Sequence, residues 1–164
     1  MLRILRVVTV TLVALVLGMS FAHVLEWPAK LKYEAALYVR LQTSLYGNWG
    51  PGGVGGFVEP SAILATLALA VAVRRRAALP FVAGAAVALL LAFPVVFFWL
   101  VAPANDAFRA AASTGVIPTD WTAWRDRWEW GHALRFGLHL VAFILLMAAP
   151  TTGEEPARTS RPAA

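Results

Sequence analysis

Apolar residues in this chain come in runs rather than in alternation. Four of the runs approach bilayer length, at about residues 7–25, 58–73, 79–102 and 130–149. About 20 apolar residues carry a helix across the hydrocarbon core. The pattern predicts an all-α fold: an integral membrane four-helix bundle formed by residues 1–150 as a single four-span domain. The second run is short for a span, so it starts inside the preceding loop or crosses with little tilt. Pro94 lies within the third run and should kink it or free a carbonyl. The segment 151–164 is polar and proline-containing, which predicts a disordered cytoplasmic tail.

The connections carry their own signals. Trp27-Pro28 ends the first span, and Pro28 suits the first turn of a new helix. From Lys30 to Leu45 the residues Leu31, Ala35, Tyr38, Leu41 and Leu45 recur at helical spacing. This predicts an additional amphipathic helix at the interface, anchored by Trp27, Tyr33, Tyr46 and Trp49. Gly47–Gly56 reads GNWGPGGVGG. A phosphate cradle would need a preceding strand and a following Lys-Ser/Thr, and it has neither, so it reads as a flexible loop. Pro60 fits the first turn of the second span, and Pro103-Ala104-Asn105-Asp106 marks the exit of the third. Phe108–Gly115 reads as a short surface helix. Pro118-Thr119-Asp120 is a helix start, and Pro150 stops the last helix.

Composition sharpens this picture. The chain has 164 residues, 60% of them hydrophobic, more than a soluble domain of this size carries. It has no cysteine, which removes disulfides, thiolate metal sites and cysteine nucleophiles. The net charge of +5 does not call for nucleic acid, because positive-inside bias accounts for it. With four spans, Arg3, Arg6, Arg74, Arg75, Arg76, Arg158 and Arg161 fall on one side. On the other side acids balance the basic residues. Both termini are therefore expected in the cytoplasm of a multi-pass cell-membrane protein. Arg3 and Arg6 ahead of Val7–Leu17, with Ser20-Phe21-Ala22 following, also fit a cleavable signal peptide. A retained first helix is the reading taken, since the apolar run continues past Ala22.

The candidate chemistry sits mostly on the last helix. On a helix of 3.6 residues per turn, Trp121, Trp124, Trp128, His132, Arg135 and His139 fall within a stripe of roughly 80°. Ionisable groups in a membrane-length apolar segment are expensive and need a reason. Topology brings His23, Glu26, Glu59, Asn105, Glu129 and His132 toward the outer end of the bundle. A histidine base beside Arg135, walled by indoles, suits metal-free proton chemistry on a flat aromatic compound. Glu129-x-x-His132 has the spacing of carboxylate-bridged metal sites, but those need a second such motif, and His23-x-x-Glu26 runs in reverse. A metal or haem enzyme is the competing reading. An interfacial belt would explain Trp121, Trp124, Trp128 and Trp130 without any site. Glu129 with Arg125, Asp126 and Arg127 reads as solvated pairs, and Glu26 with Lys30 as an ordinary helix pair.

The segments SFAHVLEWPAKL, LYGNWG, AFPVVFFWLVAPAN and DWTAWRDRWEWGHALRFGLHLVAF resemble the anthrone-oxygenase-like family of small membrane proteins. The positions closest to the family pattern are His23, Trp49, Asn105, Trp121, Arg125, Trp128, His132 and Arg135. The resemblance implies oxidation of anthrones to anthraquinones with molecular oxygen as co-substrate and no cofactor. On that footing His23 or His132 is the expected base and Arg135 the anion stabiliser. Trp49, Asn105, Trp121, Trp124, Trp128 and His139 would hold the substrate. The partners expected are the lipid bilayer and a small hydrophobic ligand, with room for oligomerisation. A non-enzymatic protein binding a lipid, quinone or partner is the alternative.

Overall fold

The structure is a computed structural model, described over residues 1–151; the expected tail lies outside the described residues except for Thr151. The elements in chain order are α1 (Leu2–Lys30), α2 (Ala35–Ser44), α3 (Val54–Ala72), α4 (Leu79–Leu90), a π-helical segment (Leu91–Val101), α5 (Ala102–Thr114) and α6 (Trp121–Ala148). Helix α4, the π segment and α5 form one continuous rod. That rod, α1, α3 and α6 are long and apolar enough to cross a membrane. In the ring they form, α6 packs on α1 and α4, while α3 closes the other side against α1 and α4. Leu64, Val71, Val87, Phe98, Trp99, Val141 and Ile144 stay exposed on the outer faces, where lipid is the natural solvent. The protein is thus a multi-span helical membrane protein with a shorter helix between its first two spans.

Several proline boundaries differ from the sequence expectation. Pro28 lies inside α1, which runs on to Lys30. A proline removes one intrahelical bond and crowds one carbonyl. In the last turn that loss is offset by anchoring of the helix end, because the Lys30 ammonium sits 3.1 Å from Glu129. Helix α3 begins at Val54, so Pro60 lies in its second turn. The helix of the third span does not stop at Pro103. It continues to Thr114, where Gly115 ends it in the left-handed conformation (φ 72°). Pro94 is absorbed by the π winding, which shifts the hydrogen-bond register around the missing N–H.

The extra length of the third rod gives α2 its seat. The expected surface helix is the largely exposed end of α5, with Phe108 and Ala111 on its buried side, and the Phe108 ring lies 5.3 Å from that of Tyr38. The buried face of α2 carries Tyr38, Val39 and Gln42, while Leu31 and Leu45 of the expected stripe stay exposed. The helix covers one end of the bundle through α5. The glycine-rich loop is folded tightly against α3 rather than held loosely. The Val54 N–H donates to the Asn48 carbonyl at 2.9 Å, and a Cβ on Gly55 would fall 1.6 Å from the Trp49 carbonyl oxygen. The glycine there permits a backbone approach that any side chain would block.

Helix α6 begins at Trp121 and ends at Ala148, ahead of Pro150, as the start and stop signals indicate. Arg6 donates to the carbonyls of Ala149 and Pro150, so the start of α1 and the end of α6 lie on one face. Two apolar clusters result. One packs Val13, Val16, Ala62, Leu69, Val82, Leu89, Ala142 and Leu146 toward that face. The other packs Tyr38, Phe97, Val101, Phe108 and Trp128 at the opposite end. Along α6, His132, Arg135 and His139 fall between them.

Candidate functional site

A cavity of about 320 Å³ occupies the region between the two apolar clusters. That is at the lower end of the range for small-molecule sites. Its wall follows α6 from Trp128 to His139, roughly 16 Å along the axis. Helix α1 supplies Val16, Ser20 and His23, α3 supplies Glu59, and the π segment supplies Phe93 and Phe97. Gln42, Thr43, Tyr46, Trp49, Asn105 and Arg109 line the end nearer α2. Gly131 lets α6 and the π segment close on each other, since a Cβ there would lie 2.7 Å from Val101 Cγ2.

The deep end is an ion-pair network. Arg135 donates to Glu59 Oε2 at 2.5 Å, and His139 Nε2 meets Glu59 Oε1 at 3.1 Å. The other ring nitrogen of His139 lies 3.1 Å from Ser20 Oγ. All four residues are buried. The Glu59 carboxylate thus ties α3 to α6, and the His139 ring carries the link on to α1.

The middle of the cavity is an aromatic box. The His23 and His132 rings are 4.1 Å apart between centroids, and Trp128 lies 4.1 Å from His132 and 4.9 Å from His23. Tyr46 and Trp49 complete the box at 4.9 and 5.2 Å from His23. The Trp128 indole donates to Asn105 Oδ1 at 2.8 Å, which fixes the ring plane. Arg135 also reaches His132 Nδ1 at 3.4 Å. A guanidinium only donates, so Nδ1 is the acceptor and the His132 proton sits on Nε2. His23 differs. Its Nδ1 is buried without a hydrogen-bond partner among the described residues, and Glu26 Oε2 stands 3.9 Å away.

A second polar network braces the box from the α2 side. Lys30 is 2% exposed, pairs with Glu129 and lies 4.4 Å over the Trp128 ring. Glu129 is 1% exposed and also accepts from the Tyr38 hydroxyl at 2.9 Å. Tyr46 donates to Glu26. Burial, followed by the adjacent Glu129 carboxylate, pushes the Tyr38 phenol above its ordinary range; burial and Glu26 do the same for Tyr46. Both hydroxyls therefore hold their protons and serve as donors.

Of the residues the sequence singles out, His23, Trp49, Asn105, Trp128, His132, Arg135 and His139 all line this one cavity. Trp121 and Trp124 do not line it. They are half-buried on the first turns of α6, Trp121 against Tyr38 and Arg125, Trp124 beneath Arg127. Glu129 is not a solvated partner of its neighbours, although Arg125 and Asp126 do pair at the surface. The Lys30 ammonium stands nearer to Glu129 than to Glu26, which is 3.9 Å away. Gln42, Ser20 and Tyr46 are cavity residues that sequence reasoning missed, and Glu59 was placed in the polar cluster without a role. Glu59 had left a signal, as a carboxylate at the edge of an apolar run. Among the described residues no group of three His, Asp or Glu side chains is arranged to hold a metal ion. No protein-family model, curated protein or solved structure matches the chain.

Proposed function

We propose that the cavity binds a flat hydrophobic aromatic compound of the anthrone or hydroquinone type and deprotonates it for direct reaction with molecular oxygen. The observation carrying this reading is the His23–His132 pair. One ring offers an unpartnered nitrogen, and the other has its proton placed on Nε2 by Arg135. In the anthrone case His23 takes a proton from the doubly benzylic CH₂ that lies across the central ring from the carbonyl. The resulting enolate oxygen accepts from His132 Nε2–H. The anion passes one electron to oxygen, and the two radicals join as a C–O bond. The peroxide takes a proton, then loses water as the second C–H is removed and the O–O bond breaks. The sum is CH₂ + O₂ → C=O + H₂O. Glu26, 37% exposed, gives the His23 proton a route to water. Arg135 is a positioning residue in this scheme, because Glu59 already neutralises its charge.

The family resemblance supports the same reading. An oxygen electrode tests it with detergent-purified protein and anthrone. Expected is uptake of one O₂ per anthraquinone formed, well above autoxidation in empty micelles. A rate equal to that of empty micelles would falsify it. The neutralised Arg135 also suits a second reading, a neutral lipid or quinone bound without turnover, which predicts binding with no oxygen uptake.

For orientation, we propose that the face carrying Arg3, Arg6 and Arg74–Arg76 is cytoplasmic. The chain has no cysteine, so single substitutions report cleanly. A membrane-impermeant maleimide should label Asp106→Cys in intact cells and leave Arg75→Cys unlabelled until lysis. The opposite pattern inverts the topology.

A further inference from the structure

Gln42 is the residue of the cavity that neither proton transfer nor packing uses. It lies one turn after Tyr38 on the buried face of α2, is 8% exposed and lines the cavity. Its Oε1 and Nε2 are both buried without a hydrogen-bond partner among the described residues. The nearby Tyr38 hydroxyl gives its proton to Glu129, and its oxygen faces the Gln42 amide as an acceptor, so the carbonyl Oε1 is the end with nothing to accept from. A buried amide oxygen left unpaired destabilises the fold, and an apolar residue of similar size would not. Asn105 lines the same end of the cavity, with its oxygen already taken by Trp128. Its amide nitrogen is left as a further donor.

We propose that Gln42 is the specificity-determining residue of the cavity, accepting from or donating to a hydroxyl or carbonyl oxygen on the bound ring compound. The inference rests on the reading that the cavity binds an aromatic molecule. It narrows the ligand class to oxygenated rings, because a plain hydrocarbon or an acyl chain would leave the carboxamide unpaired. An uncharged amide also suits a neutral oxygen function better than a carboxylate.

The test is calorimetric titration of the detergent-solubilised full chain with 1-naphthol and naphthalene, corrected for partition into empty micelles. The wild type is expected to bind 1-naphthol at least about tenfold tighter than naphthalene, the selectivity of one buried hydrogen bond. In Gln42→Leu that ratio should fall to near one, with naphthalene bound as well as before and the melting temperature unchanged or raised. Gln42→Met, which keeps the side-chain length, is measured beside it and should behave alike. Retention of the full ratio in both variants overturns the role of Gln42 and leaves the cavity reading intact. Failure of the wild type to bind either probe overturns the cavity reading and this assignment with it.

Discussion

Replacing Glu59 with alanine is expected to destabilise the protein by about 3–5 kcal/mol, the cost of stranding a buried charge. The carboxylate holds Arg135 at 2.5 Å and His139 at 3.1 Å. The guanidinium has no other carboxylate partner among the described residues, and its Nε is already unsatisfied. Without Glu59 a positive charge would remain in the middle of the bundle, between two apolar clusters. The anchor of His139 and its link to Ser20 would loosen together. For a chain of this size the melting temperature should drop on the order of 10 °C. Glu59→Gln should fall nearly as far, since the amide keeps the shape but not the charge. The double variant Glu59→Leu with Arg135→Met should recover much of the loss, because apolar residues of similar volume replace a buried pair without leaving a charge behind. Thermal unfolding in detergent measures all three. If Glu59→Ala melts within about 2 °C of the wild type, the network is not holding the spans together.

That network shows why the fold was more legible than the site. The four spans follow from hydropathy, which needs no partner to be read. Pro28, Pro60 and Pro103 read locally as boundaries, yet helix runs through all three. A helix end pinned by a distant contact tolerates a missing N–H, and Lys30 against Glu129 is such a contact. Local sequence places Glu129 among Arg125, Asp126 and Arg127, and only tertiary packing turns it inward to Lys30 and Tyr38. His23 and His139 stood out because ionisable groups in apolar runs are conspicuous. Gln42 left no trace, since an amide on a short amphipathic helix looks like any surface residue. The α6 stripe was correct in direction but too long, because its first turn lies beyond the cavity and carries Trp121 and Trp124 with it. The position of Arg135 was readable, but its pairing with Glu59 on another span was not.

The Arg135 geometry also decides between the two histidines. If His23 is the base, His23→Ala should lower kcat for anthrone oxidation by about 10²–10⁴-fold, the usual worth of a positioned general base. KM should change little, because Trp49, Tyr46 and Trp128 still form the box. Removing an imidazole leaves space beside Tyr46 and Trp128, so added imidazole should restore part of the rate to His23→Ala. His132→Ala should respond differently. In the proposed scheme its role is donation from Nε2, with the ring set by Arg135. The loss should be smaller, without recovery by imidazole unless Arg135 reorients it. Arg135→Lys should reproduce much of the His132→Ala loss, since an ammonium cannot serve Glu59 and His132 together as the planar fork does. Each variant is checked for folding by its melting curve before rates are compared. Should His132→Ala show the larger loss and the imidazole rescue, the base is His132 and the tautomer argument fails. If neither histidine matters to a demonstrated oxygen uptake, the proton must leave by another group, and the cavity's two paired rings would be holding the ligand rather than reacting with it.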